Sequence, residues 1–233
     1  MTPDPVMPDV DVLAFDVYGT LVDTEGQVRR LAEFLDPGSA ATFSTAWRQT
    51  QLAYTFRRGL MDAYVDFEVV TAQALDATAA SHGVELAVED RHELLAGYRT
   101  LPAYDEVPAA LRSLSDAGRR CVAFSNGVAA AVTELLEHAG LRELLDDVVS
   151  VDEVGSYKPD PVVYRHLLER VGADADRTML VSGNSFDVIG AKTVGLRAAW
   201  LRRSDAACLD PWGVDPDVTV RDLAELAAIS RAR

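Results

Sequence analysis

Five short runs of β-branched and other apolar residues recur along this chain, and they constrain its fold more than any other feature. The runs cover residues 10–16, 120–125, 148–151, 178–182 and 196–201. Hydrophobicity is nearly continuous within each run, which is typical of parallel strands buried on both faces. Helical patterns over residues 107–117, 129–139 and 161–171 alternate with the later runs. This alternation predicts βαβ units, a parallel sheet and the α/β fold class.

One long segment interrupts the alternation. From residue 22 to residue 103 the sequence indicates one helix after another, without a convincing strand. Residues 36–39 form a turn with a candidate helix N-cap, and Gly83 ends another helix. We therefore predict a Rossmann-like core of residues 1–21 and 104–233, with residues 22–103 inserted as a helical cap subdomain. Clefts between a core and a cap are common ligand sites.

Charge and composition argue against several classes of partner. The chain has 233 residues and a formal net charge of −15, which repels phosphate backbones, so we expect neither nucleic acid nor an anionic membrane as a partner. No apolar run approaches the roughly 18 residues of a membrane helix, and the start of the sequence lacks a signal-peptide pattern. We therefore expect a cytoplasmic protein. The two cysteines make no disulfide framework, and the four histidines lack metal-ligand spacing.

Polar residues mark the ends of three predicted strands. Asp16 ends the first, Ser125 and Asn126 end the second, and Ser182 and Asn184 follow a later one. Ligands of open α/β sheets bind at the carboxyl ends of the strands, so these groups predict a site there. The competing interpretation is that the same residue types only cap the following helices.

Charged residues make that edge chemically specific. An Asp at the end of a buried apolar strand is costly unless it is paired or used. Lys158, one of only two lysines in the chain, and Asp187 are expected at the same sheet edge as Asp16. Two carboxylates and one ammonium group suggest covalent catalysis by a carboxylate, with the cation lowering the repulsion between them. For Asp187 the alternative is a partner of a helix N-terminal dipole.

Four segments stand in the order of the four motifs of the haloacid dehalogenase superfamily: Asp16-Val17-Tyr18-Gly19-Thr20-Leu21, Ser125-Asn126-Gly127, Lys158-Pro159 and Asp187. Most members of that superfamily are magnesium-dependent phosphatases. This sequence has Tyr18 where they carry an acid/base Asp, and Ser182 where their fourth motif usually carries another Asp. Because Mg²⁺ prefers a shell rich in carboxylate oxygens, these losses weaken a metal site. The chain thus resembles a superfamily member that no longer hydrolyses phosphate esters.

The closer resemblance is to the L-2-haloacid dehalogenases, and it covers nearly the whole chain. Residues 47–55 are similar to the cap-helix signature of that family, and residues 61–67 continue it. Residues 157–160, followed by Tyr164, match a second signature, and residues 216–217 precede a final helix. The resemblance implies a hydrolase that converts small (S)-2-haloacids to (R)-2-hydroxy acids through an ester on Asp16, with inversion and without metal or other cofactor. It also implies a possible homodimer.

The resemblance assigns a role to each site residue. Asp16 is the nucleophile, Thr20 hydrogen-bonds it, and Lys158 steadies its charge. Asp187 acts as general base on the hydrolytic water with Ser182 and Asn184, and Tyr164 orients nearby groups. The halide cradle comprises Arg48, Asn126 and Phe186. The substrate carboxylate meets Ser125 and backbone amides near Tyr18, Val17 and Asn126. The walls of the alkyl pocket are Tyr18, Gln49, Leu52 and Phe67.

Two positions depart from the family pattern. Gly183 replaces a common Ser, which removes a hydroxyl near the water, and Phe186 replaces a common Trp. Without the resemblance, Arg48 reads as one more surface arginine of its helix. The alternatives to a dehalogenase are a magnesium-dependent phosphatase with a degenerate first motif, an azetidine-2-carboxylate-type hydrolase that uses the same aspartyl ester, and a catalytically silent binding relative.

Overall fold

A six-stranded parallel sheet forms the centre of the computed structural model, which describes residues 7–231. Its strands are β1 (Val12–Phe15), β2 (Arg120–Ser125), β3 (Asp147–Ser150), β4 (Thr178–Ser182), β5 (Arg197–Leu201) and β6 (Val218–Val220). The order across the sheet is β3-β2-β1-β4-β5-β6. β1 therefore lies between β2 and β4, and all four of its residues are buried. The predicted α/β class with a parallel sheet is confirmed.

The helices of the described residues flank and extend this sheet. They are α1 (Glu25–Leu31), α2 (Pro37–Leu60), α3 (Phe67–His82), α4 (Val88–Ala96), α5 (Val107–Asp116), α6 (Ala129–His138), α7 (Pro161–Val171), α8 (Ser185–Thr193) and α9 (Leu223–Arg231). Helix α2 begins after Asp36, whose carboxylate accepts from the backbone N–H of Ser39 at 3.1 Å, as the N-cap prediction required. Helix α3 ends at Gly83, whose φ of 65° suits glycine.

Helices α1 to α4 all lie between β1 and α5. They enclose a hydrophobic cluster separate from the main core, built on Leu31, Phe43, Trp47 and Leu75. Chain entry and exit are adjacent, because Val22 forms an antiparallel bridge with Ala103. Two backbone hydrogen bonds flank that bridge: Asp23 N–H donates to Pro102 O at 2.8 Å and Tyr104 N–H donates to Leu21 O at 3.2 Å. The division into core and cap at residues 21/22 and 103/104 stays a prediction.

Prediction and structure differ mainly at the sheet edge. The bounds of β2 and β4 agree with the predicted runs, whereas β1 and β5 begin one or two residues later than predicted. Strand β6 was missed, because three residues are too short to display a pattern. None of the described helices is long and apolar enough to cross a membrane.

Candidate active site

The Asp16 carboxylate lies directly beyond β1, at the carboxyl end of the central strands. Its backbone N–H donates to Val181 O at 3.0 Å, which extends the ladder to β4 by one residue. Three side chains donate to its Oδ2 atom: Thr20 at 3.1 Å, Ser182 at 3.3 Å and Asn184 at 2.8 Å. Side chains that follow or end β1 and β4 therefore converge on one carboxylate oxygen. Residues that only cap the following helices would not need to do so.

Neighbouring backbone groups orient two of these donors. Thr20 Oγ1 accepts from Gly183 N–H at 2.9 Å, and Ser182 Oγ accepts from Asn184 N–H at 3.1 Å. Each hydroxyl proton is thereby left to point at Asp16. Among the described residues Oδ1 accepts from Lys158 alone, at 3.2 Å. One oxygen of Asp16 is saturated with donors, and the other retains lone pairs for a further partner.

The Lys158 ammonium group lies between the two carboxylates. Its Nζ is 3.2 Å from Asp16 Oδ1 and 2.8 Å from Asp187 Oδ2, and it also donates to Phe124 O at 2.8 Å. The side chain is 2% exposed, so the ion pairs act in a medium of low dielectric. The predicted cluster of two carboxylates and one ammonium is thus present. Residues 7–231 contain no group of three or more His, Cys, Asp or Glu that could hold a metal ion.

Asp187 is fully buried on the first turn of α8. Tyr164 donates to its Oδ1 at 2.7 Å, while Lys158 occupies Oδ2. Burial raises the pKa of Asp187, against the opposing effect of Lys158. Burial also raises the pKa of Tyr164 well above its usual value, which keeps its hydroxyl proton available to donate. Ser182 and Asn184 donate to Asp16, and their predicted part in positioning the hydrolytic water with Asp187 stays a prediction.

Gly190 is a residue of this site that sequence reasoning missed. A Cβ atom placed on it would lie 2.5 Å from the Tyr164 hydroxyl and 2.7 Å from Pro159 Cβ. Only glycine therefore lets the phenol reach Asp187 across α8. No pattern in a single sequence distinguishes this glycine from an ordinary helical one.

The turn after β2 holds the two residues predicted to bind the substrate and the halide. Ser125 Oγ accepts from Gly127 N–H at 3.1 Å, and Asn126 Oδ1 accepts from Lys158 N–H at 3.0 Å. Both side chains are nearly buried. Since Asn126 uses its oxygen for the Lys158 backbone, its NH₂ group is the part left to donate to another partner.

Aromatic rings from the inserted helices pack against the core beside Asp16. The Tyr18 ring lies 5.7 Å from Phe67 and 6.0 Å from Tyr98, centroid to centroid. Phe186 contacts Phe56 of α2 edge-on at 5.1 Å. Tyr18, Phe67 and Val17 are all buried in the main core, and Tyr18 and Phe67 also line one cavity.

Arg48 is half-buried on α2, and within residues 7–231 it makes no hydrogen bond or ion pair with Asp16. Its Nη1 donates to Gln51 Oε1 at 2.6 Å. Its positive charge opposes the burial that raises the pKa of Tyr18. Gln49 is exposed and lines a cavity with Arg48 and Tyr98, and Leu52 is half-buried one turn after Arg48.

Gly183 gives a prediction at the turn after β4. A Cβ atom there would lie 2.8 Å from the backbone oxygen of Gly19, in the turn that carries Thr20. We expect Gly183→Ala and Gly183→Ser to lower the unfolding free energy by ~1–3 kcal/mol, because the backbone must shift. Restoring the Ser common in the family should therefore slow turnover here.

Thermal unfolding and steady-state kinetics of the purified variants measure both effects. Gly59→Ala is the matched control, since the nearest atom to its added Cβ is 4.0 Å away. Its Tm should stay within ~2 °C of the parent or rise. A Gly183→Ser variant that is as stable as the parent and faster would contradict the steric argument.

A family model defines the class of this protein. The model described as haloacid dehalogenase-like hydrolase matches residues 10–195. Asp16 belongs to the first of the four motif segments and Lys158 to the third, and the two side chains are in contact at the end of the central strand.

Individual relatives narrow the class. The chain is 37% identical to the (S)-2-haloacid dehalogenase of Pseudomonas sp. (strain YL) over 91% of its own length and 90% of that protein. It is 35% identical to haloacetate dehalogenase H-2 of Moraxella sp. (strain B), over 92% and 95% of the two chains. The chain belongs to the (S)-2-haloacid dehalogenase family of haloacid dehalogenase-like hydrolases.

A solved structure agrees with this placement. L-2-haloacid dehalogenase from Xanthobacter autotrophicus, with chloropropionic acid covalently bound, superposes with a TM-score of 0.88 at 28% identity, covering 96% of this chain and 99% of that one.

Proposed function

We propose that this chain hydrolyses small (S)-2-haloalkanoic acids to (R)-2-hydroxy acids and halide through an ester on Asp16. The observation that carries the proposal is the asymmetry of that carboxylate. Oδ2 holds three donors, while Oδ1 holds Lys158 alone among the described residues. An oxygen with spare lone pairs, on a carboxylate that is nearly buried, is a competent nucleophile.

In the first step Asp16 Oδ1 attacks C2 of the haloacid from the side opposite the halogen. The new O–C2 bond forms as the carbon–halogen bond breaks, and the halide leaves with its electron pair. C2 is inverted by this displacement. Ser125, with backbone amides of the two strand-end turns, holds the substrate carboxylate, and the free NH₂ of Asn126 is directed to the halide.

In the second step water attacks the ester carbonyl carbon of Asp16. Asp187 accepts the water proton, and its raised pKa makes it a stronger base than an exposed aspartate. Negative charge then develops on Oδ2, where Thr20, Ser182 and Asn184 already donate. Such preorganised donors stabilise an oxyanion. Cleavage of the carbonyl carbon–Oδ1 bond releases the hydroxy acid with Oδ1, its alkoxide taking the proton from Asp187. The water oxygen stays on Asp16 as part of a carboxyl group, and loss of the second water proton to solvent restores the carboxylate.

One experiment tests this route against phosphatase chemistry. Purified protein in EDTA should release chloride from (S)-2-chloropropionate, and little from the (R) enantiomer. A single turnover in ¹⁸O-water should place the label in the peptide that contains Asp16. Phosphate release from p-nitrophenyl phosphate with Mg²⁺, and none of chloride, would overturn the proposal. Lys158 Nζ lies between both carboxylates and offsets part of their negative charge.

Arg48 supplies a further prediction. We expect Arg48→Ala to lower kcat ~100-fold or more, because the positive charge proposed to meet the departing halide is removed. Arg57→Ala, on the same helix and exposed, is the matched control and should keep kcat within about twofold of the parent. Rapid-quench halide release measures the step itself. Equal rates in both variants would show that Arg48 has no part in the reaction.

The homodimer and the cytoplasmic location stay predictions. Light scattering on the purified protein measures the first.

A further inference from the structure

We propose that Gln51 is a positioning residue that holds the Arg48 guanidinium without neutralising its charge. The inference rests on the proposed function, in which Arg48 meets the leaving halide, and it names how the protein prepares that arginine. It concerns a polar chain inside the inserted helices, between α2 and α3.

Three consecutive hydrogen bonds connect Arg48 to a backbone carbonyl oxygen. Arg48 Nη1 donates to Gln51 Oε1 at 2.6 Å, and Gln51 Nε2 donates to Thr71 Oγ1 at 2.6 Å. Thr71 in turn donates its hydroxyl proton to Phe67 O at 2.7 Å. Gln51 and Thr71 are both buried. A buried polar side chain lowers the unfolding free energy unless its polar atoms have hydrogen-bond partners. The polar side-chain atoms of Gln51 and Thr71 all have such partners.

The backbone carbonyl fixes the direction of the whole chain. Because Phe67 O takes the Thr71 proton, the Thr71 oxygen can only accept from Gln51. The Gln51 amide must then present its NH₂ to Thr71 and its oxygen to Arg48. A flipped amide would place NH₂ against a guanidinium and two acceptors against each other. The side chain of Gln51 therefore has one favourable orientation, and with it the guanidinium has one anchor.

Thr71 also locks the helical turn that carries Arg48. Its backbone oxygen accepts from Trp47 Nε1 at 3.0 Å, while its hydroxyl accepts from Gln51. Trp47 and Gln51 stand on either side of Arg48 in sequence and both bind this residue of α3. Two contacts one helical turn apart restrain the rotation of α2 about its axis. Arg48 is thereby held at both the backbone and the head group.

The neutral partner is the chemically important feature. Several other arginines of the described chain bind carboxylates, such as Arg91 with Asp76 at 2.6 Å, whereas Arg58 also binds a glutamine oxygen, that of Gln73, at 2.8 Å. Within residues 7–231 Arg48 has no ion pair, and burial raises the pKa of the nearby Tyr98 to about 12, so that phenol stays uncharged. An amide acceptor orients a guanidinium by one hydrogen bond and leaves its charge for an anion. A carboxylate at position 51 would consume that charge.

Four variants separate positioning from structural support. Gln51→Met removes the hydrogen bonds to Arg48 and Thr71 at a similar side-chain volume. Gln51→Glu keeps an acceptor for Arg48 but adds a negative charge. Thr71→Val removes the hydroxyl, and Thr71→Ser restores it. Thr78→Val is the matched control, because Thr78 is equally buried on α3 and donates to Ala74 O at 2.7 Å without touching Gln51.

Halide affinity is measured without turnover, from the excess ³⁵Cl NMR line width of the resting protein in sodium chloride, with Arg48→Ala as the zero reference. Rapid-quench halide release gives the rate of the displacement step. Gln51→Met, Gln51→Glu and Thr71→Val should each lose ~10- to 100-fold in rate and at least severalfold in chloride affinity. Thr71→Ser and Thr78→Val should stay within about threefold of the parent, and Tm values of the two Val variants should be similar.

Retention of chloride affinity and rate in folded Gln51→Met or Gln51→Glu would overturn the inference. Equal losses in Thr71→Val and Thr78→Val would also overturn it, since they would show general destabilisation. If Gln51→Met does not fold, Thr71→Val against Thr71→Ser gives the same comparison. Arg48-dependent chloride binding that requires Gln51, in a protein that dehalogenates no 2-haloacid, would support the positioning role and reject the proposed substrate instead.

Discussion

Asp16→Asn is expected to lower kcat by at least ~10⁴-fold, the largest loss of any single substitution in this protein. An amide has no charged oxygen to displace a halide. The fold should persist, since the amide oxygen can still accept from Thr20 and Asn184. Rapid-quench halide release and thermal unfolding of the same preparation measure the two quantities.

The control for this variant is Asp11→Asn, at the opposite, exposed end of the same strand, where Asp11 pairs with Arg177. It should leave kcat within about twofold of the parent. Mass spectrometry of the parent during turnover should find the substrate carbon skeleton on the peptide that contains Asp16, and none in Asp16→Asn. Turnover by the Asn variant above a few per cent of the parent would contradict a covalent ester.

Lys158→Met is expected to damage both stability and activity. It leaves Asp16 and Asp187 buried together without the ammonium group that separates them, and an unpaired buried charge costs ~3–5 kcal/mol of unfolding free energy. One carboxyl group should then take up a proton to relieve the repulsion, which removes either the nucleophile or the base. We expect kcat to fall ~10³-fold or more.

The stability loss should depend on pH in a definite direction. Lys158 lowers the raised pKa of Asp187, so without Lys158 that folded-state pKa rises further above the value in the unfolded chain. The folded protein then binds protons more readily than the unfolded one, so the deficit relative to the parent shrinks as pH falls from 8 towards 5. Urea titrations at several pH values measure it.

The other lysine gives a matched comparison for that variant. Lys192 binds Asp217 at the same 2.8 Å, but its side chain is 23% exposed. Lys192→Met should cost ~1 kcal/mol or less, with little dependence on pH in this range and kcat unchanged. If both lysine variants lose similar stability, the low dielectric around Lys158 has been overestimated.

Much of the candidate site could be anticipated from where strands end. Asp16 and Lys158 are 142 residues apart in sequence, yet a polar residue after each buried apolar run already pointed to a common edge. The strand bounds of β2 and β4 followed from continuous β-branched runs. The resemblance added the expected reaction and the expected role of Arg48.

What the sequence did not reveal depends on packing between helices. Gln51 reads as one more polar residue of α2, and only the approach of α3 shows that it joins Arg48 to Thr71. Gly190 reads as an ordinary helical glycine until Tyr164 is placed against it. The hydrogen bonds of Ser182 and Asn184 to Asp16 Oδ2 likewise appear only when β4 lies beside β1.

The single antiparallel bridge between Val22 and Ala103 has a consequence for how such enzymes diversify. The chain leaves the sheet region at Val22 and returns to it at Ala103, so the two ends of the segment between them lie side by side. Replacing the segment between Val22 and Ala103 by a foreign one would require only that the two ends of the new segment lie side by side. A new pocket lining and a new Arg48 equivalent could then be exchanged in one piece, while the nucleophile, its ammonium partner and its base stay in place.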